Sequence, residues 1–263
     1  MKTTTKKLPS TICRLPVKWH SGRAFAVSIG NRQSAIGNRR AFTLIELLVV
    51  ISIIAIIAGF TLMVVGSVHR TASIGTATAE LKEIEGALEN YKAKYGSYPP
   101  SNPTITPLVN TLYYELSGVY LTNASTAKAA FVTLDGACQI PQTSYQLAFA
   151  GVSSGIGGVI NCTKGTGEEG SVAQDFLPSL HANRLGTYTN GSGVQLSNLV
   201  TSVRGPDTTY MPLGVQDVNP FRYAYPGTNN PSSYDLWVQL VIRGKTNLIC
   251  NWSTAPIINS PLP

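Results

Sequence analysis

From Leu47 to Val68 the chain reads LLVVISIIAIIAGFTLMVVGSV, twenty-two residues without a charge or a proline. A helix needs about 20 apolar residues to cross the hydrocarbon core of a bilayer, so this run predicts a membrane helix before anything else is known. Arg39 and Arg40 stand just ahead of it. By the positive-inside rule they place the N-terminus in the cytoplasm and everything after the run on the far side. A secretory signal peptide shares the basic start and the apolar core, but its core is usually only about 7–15 residues long. The small residues from Thr71 to Ala77 also offer a poorly defined cleavage site. The run is therefore expected to stay as an anchor.

The formal charge of +7 invites a nucleic-acid reading until its position is noted. Residues 1–41 hold nine basic and no acidic residues, whereas residues 42–263 hold eleven basic against thirteen acidic, a net of −2. The high isoelectric point thus describes the front of the chain. The rest has no evident basic face for DNA or RNA.

One residue does not fit a simple anchor. Glu46 sits at the front of the apolar run, and an acidic side chain at the centre of a membrane helix costs about 2.5–3.5 kcal/mol, so it normally has a partner. A chain beginning at Phe42 supplies one, the α-amino group of a neighbouring copy. The stretch Ala41-Phe42-Thr43-Leu44-Ile45-Glu46-Leu47-Leu48-Val49-Val50 resembles the cleavage and N-methylation motif of type IV prepilins and type II secretion pseudopilins. The resemblance implies a cut between Ala41 and Phe42 by a prepilin peptidase, N-methylation of Phe42, and an assembly role for Glu46. It further implies a single-pass inner-membrane protein with its head in the periplasm or, once assembled, outside. Its partners would be membrane lipid, the inner-membrane assembly machinery, copies of itself and other pilin-like subunits. Ala41 departs from the glycine usual before the cut, although a small side chain is kept.

Beyond the apolar run the pattern becomes amphipathic. Leu81, Ile84, Leu88, Tyr91 and Tyr95 recur at intervals of three and four residues, which places them on one helix face. Gly96 and then Pro99 and Pro100 end the helix. A continuous helix from Phe42 to Tyr95 would be roughly 80 Å long, with Gly59 and Gly66 as its weak points. Residues 80–99 are similar to the second half of the major pseudopilin helix.

The head is less legible. Residues 101–215 are rich in Gly, Ser, Thr and Asn and read as a variable insertion, with a helix expected at Val172–Leu180 and a strand at Ser144–Ala150. Residues 216–263 read as a β region. It has a short strand at Phe221–Tyr225 and a hairpin of Asp235–Ile242 with Thr246–Trp252, carrying Leu236, Val238, Leu240 and Ile242 on one face. That face is expected against the helix stripe around Leu81 and Leu88, giving an α+β, pilin-like fold. The domain plan is a cleaved leader (1–41), a membrane or filament-core helix (42–70), an amphipathic helix (71–100), the insertion and the β region.

The stretches Asn219-Pro220-Phe221-Arg222-Tyr223 and Ser233-Tyr234-Asp235-Leu236-Trp237 also resemble the C-terminal signature of major pseudopilins. That resemblance makes Asp235 a calcium-ligand candidate, but Val-Ile-Arg-Gly-Lys-Thr stands where a second aspartate is usual. Calcium takes six to eight oxygen ligands, and this loss removes a carboxylate. No other cofactor is expected.

An exported head could bridge two of Cys138, Cys162 and Cys250, with Cys138 and Cys162 nearest in sequence; three buried thiols are the alternative. No C-x-x-C spacing points to zinc. Gly165-Thr166-Gly167-Glu168-Glu169-Gly170 matches G-x-G-x-x-G in form, but two glutamates would repel a phosphate and no βαβ pattern surrounds it. Of the three histidines only His181 belongs to the head. The chain therefore reads as a structural filament subunit and not an enzyme. The alternatives are a minor pilin binding DNA, a surface or a secreted substrate, and an enzyme tethered by its helix.

Overall fold

A computed structural model describes residues 42–101, 107–122, 128–149, 158–163, 172–191, 193–204, 209–242 and 244–261, with the backbone alone at 61–67. The chain divides into two units, one ending at Ile53 and the other beginning at Ile54. The leader, Ala41 and the glycine-rich stretch 165–170 lie outside the described residues.

The first element is the helix α1, Leu44–Tyr95. Its later part buries Leu81, Ile84, Leu88 and Tyr91 of the stripe that the three-and-four spacing predicts, with Tyr95 half-buried, and Ala77 is buried with them. Gly96 then takes φ +78° and donates its N–H to the Lys92 carbonyl at 2.8 Å. That left-handed cap suits a residue without a Cβ. Lys92 and Lys94 in the last turn complement the negative end of the helix dipole.

Among the described residues two α-helices and three sheets follow. The fully buried helix α2 (Leu112–Ser117) leads into β1 (Val119–Thr122), β2 (Ala130–Thr133) and β3 (Gln139–Pro141). With β4 (Cys162–Thr163) these make a sheet of order β3-β2-β1-β4, antiparallel except where β4 lies parallel to β1. A second, two-stranded sheet pairs β5 (Leu185–Thr189) with β6 (Gln195–Leu199). The third has β7 (Arg222–Ala224), β8 (Asp235–Ile242), β9 (Lys245–Cys250) and β10 (Ile257–Ile258) in the antiparallel order β10-β9-β8-β7. Its central hairpin runs in the predicted place, with Trp237 opposite Cys250 and Ile242 opposite Lys245. Leu236, Val238 and Leu240 join Leu81 and Leu88 in one hydrophobic core, so the α+β arrangement is the predicted one.

Two local expectations are corrected. The described part of Ser144–Ala150 is not a strand, because Gln142–Ala148 forms helix α3, which opens after Pro141. Tyr145, Ala148 and Phe149 fall on one helical face, and Tyr145 meets Tyr114 and Phe131 edge-on at 5.3 and 5.4 Å between ring centroids. The described part of Val172–Leu180 is not helical. Its donors go elsewhere: Ala173 N–H to Thr163 Oγ1, Gln174 N–H to Asn161 Oδ1 and Phe176 N–H to the Leu116 carbonyl. The Asp175 carboxylate also accepts from Leu177 N–H, a local turn that competes with a helix.

Two polar knots tie the later part of α1 to the head. Glu115 in α2 is fully buried and accepts the N–H of Ile160, the N–H of Asn161 and the hydroxyl of Tyr91, each at 2.9 Å. Asn161 spreads the knot, accepting from Tyr95 and donating to the carbonyls of Glu115 and Gln174. In the second knot Arg184, buried just ahead of β5, pairs with Glu83, and its Nε lies 3.8 Å from Glu80. Glu80 also accepts from Thr201 and Ser202 beyond β6.

Candidate assembly site

Phe42 and Thr43 precede α1, and Phe42 is 84 % exposed. Thr43 is the residue before the helix, and Glu46 is its third residue. Thr43 N–H and Oγ1 both donate to Glu46 Oε2, at 2.8 and 2.9 Å, and Glu46 N–H donates back to Thr43 Oγ1 at 3.3 Å. This reciprocal pair is a capping box, in which two otherwise unpaired backbone donors at a helix start are satisfied by side chains. Glu46 therefore has a local role that the sequence reading did not assign. The signal was present, since Thr-x-x-Glu ahead of an apolar run is the pattern of such a cap. Glu46 Oε1 accepts no hydrogen bond from a described residue, which leaves it open to a second donor.

From Leu44 to Phe60 the large apolar side chains are exposed on every side of the helix. Ser52 returns its hydroxyl to the Leu48 carbonyl at 2.7 Å, so this part of the run presents little free polarity. A helix apolar all round is stable only where lipid or protein covers it. Among the described residues no helix is long and apolar enough to cross a membrane; the side chains at 61–67 of this run lie outside the described ones.

The other candidates lie apart from this site. Asp235 is 2 % exposed at the start of β8. Its Oδ2 accepts the backbone N–H and the Nδ2 of Asn229 at 2.8 and 3.0 Å, and its Oδ1 accepts Asn230 N–H at 3.0 Å. All three contacts on the Asp235 carboxylate come from N–H donors of the same loop. Among the described residues no group of three or more His, Cys, Asp and Glu gathers. His181 stands outside a short 3-10 turn, Ala182–Arg184.

In the head Cys138 is half-buried, and Cys162 and Cys250 are buried. Cys138 Sγ accepts from Ser197 Oγ at 3.3 Å and lies 3.8 Å from the Tyr114 hydroxyl. Cys162 is held in the core at β4, with its sulfur 3.7 Å from the Thr163 carbonyl.

Comparison with curated proteins and with solved structures returned no match. Residues 36–62 match the family model described as the prokaryotic N-terminal methylation motif. The match covers Phe42, Thr43, Glu46 and the start of the apolar helix, so the chain carries at this site the signature of type IV pilin-like and pseudopilin-like precursors.

Proposed function

We propose that the chain is a structural subunit of a type II secretion pseudopilus or type IV pilus-like filament. The methylation motif at residues 36–62 is the observation that carries this reading. In it, prepilin peptidase cuts between Ala41 and Phe42 and methylates the new amine. The apolar helix holds the subunit in the inner membrane with its N-terminus in the cytoplasm until the assembly machinery extracts it. Copies of the chain and other pilin-like subunits then replace lipid around the helix. The resemblance of residues 219–223 and 233–237 to major pseudopilins favours the pseudopilus.

Within such a filament Glu46 takes the Phe42 amine of a neighbouring copy on Oε1 while Thr43 holds Oε2. Two observations support this division of labour: the cap uses one carboxylate oxygen, and Phe42 is exposed. Glu46→Ala in the full chain, expressed with its assembly machinery, tests it. Membrane insertion should persist while filament yield falls at least roughly tenfold, the factor that 1.4 kcal/mol represents. Filaments of normal yield from this variant contradict the proposal.

A further inference from the structure

We infer that the loop between β7 and β8 is closed by Asp235 as a hydrogen-bond acceptor in place of a bound cation, so that the head holds this loop without calcium. The inference does not depend on the filament reading. A carboxylate offers about four acceptor positions, and three are filled here by N–H groups of Asn229 and Asn230. Two of those donors belong to the backbone, and their polarity cannot be reversed by turning a side chain. Their partial positive charges face the same carboxylate oxygens that a cation would have to bind.

The neighbouring contacts close the remaining approach. Gly227 lies against Asp235 so tightly that a Cβ there would come within 2.6 Å of Oδ1 and 2.8 Å of Cγ. Gly227 N–H donates to the Ser233 carbonyl and Ser233 N–H to the Asn230 carbonyl, both at 2.9 Å, so the loop is bonded across its width. Asn251, just past β9, donates to the Tyr234 carbonyl at 2.9 Å and accepts Leu236 N–H at 3.1 Å. The carbonyls of Asn230, Ser233 and Tyr234 thus each accept a hydrogen bond from a protein donor. A calcium ion at Asp235 would have to compete with the three N–H donors already on its carboxylate.

Thermal unfolding of the full chain in detergent micelles, followed by circular dichroism in EDTA and in excess calcium, tests the inference. The natural protein should melt at the same temperature in both. Asn229→Asp replaces a donor by a second carboxylate, so it should melt lower in EDTA by about 2–4 °C, and calcium should recover part of that loss. Calcium raising the natural protein's melting temperature by more than about 2 °C overturns the inference, and that measurement needs no variant to fold. Asn229→Asp melting like the natural protein in EDTA overturns it as well.

Discussion

Replacing Glu115 by glutamine keeps the side chain's shape and removes its charge, and the geometry sets the consequence. The carboxyl is fully buried with three donors around it. Loss of water is the largest influence and lifts its pKa from 4.5 to about 6, while the bonds from Ile160, Asn161 and Tyr91 oppose that rise without cancelling it. The folded value lies above the unfolded one, so between pH 4.5 and about 6 the folded state keeps a proton that the unfolded chain releases. The stability from this group is fully present below pH 4.5, is lost as pH rises through about 6, and is level above that. At 1.36 kcal/mol per pH unit the interval amounts to about 2 kcal/mol. Glutamine cannot titrate, and its amide NH₂ faces one of the two backbone donors, a mismatch costing about 1–3 kcal/mol at every pH. Urea unfolding of both proteins across pH 4.5–7, in the same detergent, isolates the group because other titrations cancel in the difference. The natural protein should lose about 2 kcal/mol relative to Glu115→Gln over that range. Parallel stability curves for the two proteins refute the reasoning.

Further outcomes follow from the packing of the second unit. Leu88 is fully buried in the helix stripe, so Leu88→Ala should cost about 2–5 kcal/mol in urea unfolding; a loss under about 1 kcal/mol contradicts its place in the core. Arg184→Ala leaves the buried Glu80 without its cation and should cost about 3–5 kcal/mol. Glu83→Gln should cost less than about 1 kcal/mol, because the Glu83 side chain is 40 % exposed and screened by water. Equal losses from these two variants contradict the assigned asymmetry.

What could be read from the sequence was what local chemistry repeats or punctuates. The stripe from Leu81 to Tyr91, the stop at Gly96 and the hairpin of β8 with β9 each carry a period or a turn residue, and each stands as expected. The region before β7 was opaque for a physical reason. Its order comes from contacts between residues far apart, such as Glu115 with Tyr91 and Asn161, and from short strands with no room for a period. A glutamate in α2 looks like a surface residue until its three donors are known. Val172–Leu180 failed as a helix because its amides bond to Thr163, Asn161 and Leu116. At the assembly site Glu46 stood out as a charge in an apolar run, whereas its partner Thr43 was overlooked although the Thr-x-x-Glu pattern names it. β8 also showed only one of its buried faces in advance. On the other, Gln239 donates to the Pro261 carbonyl at 2.9 Å and accepts from Arg222, and Trp237 meets Trp252.

The central claim is that the working chain begins at Phe42. Mass spectrometry of the intact protein extracted from membranes that contain prepilin peptidase tests it most directly. The account predicts an N-terminal peptide starting at Phe42 and carrying an N-methyl group, with residues 1–41 absent. A chain that starts within Thr71 to Ala77, or that keeps its leader when the peptidase is active, contradicts it.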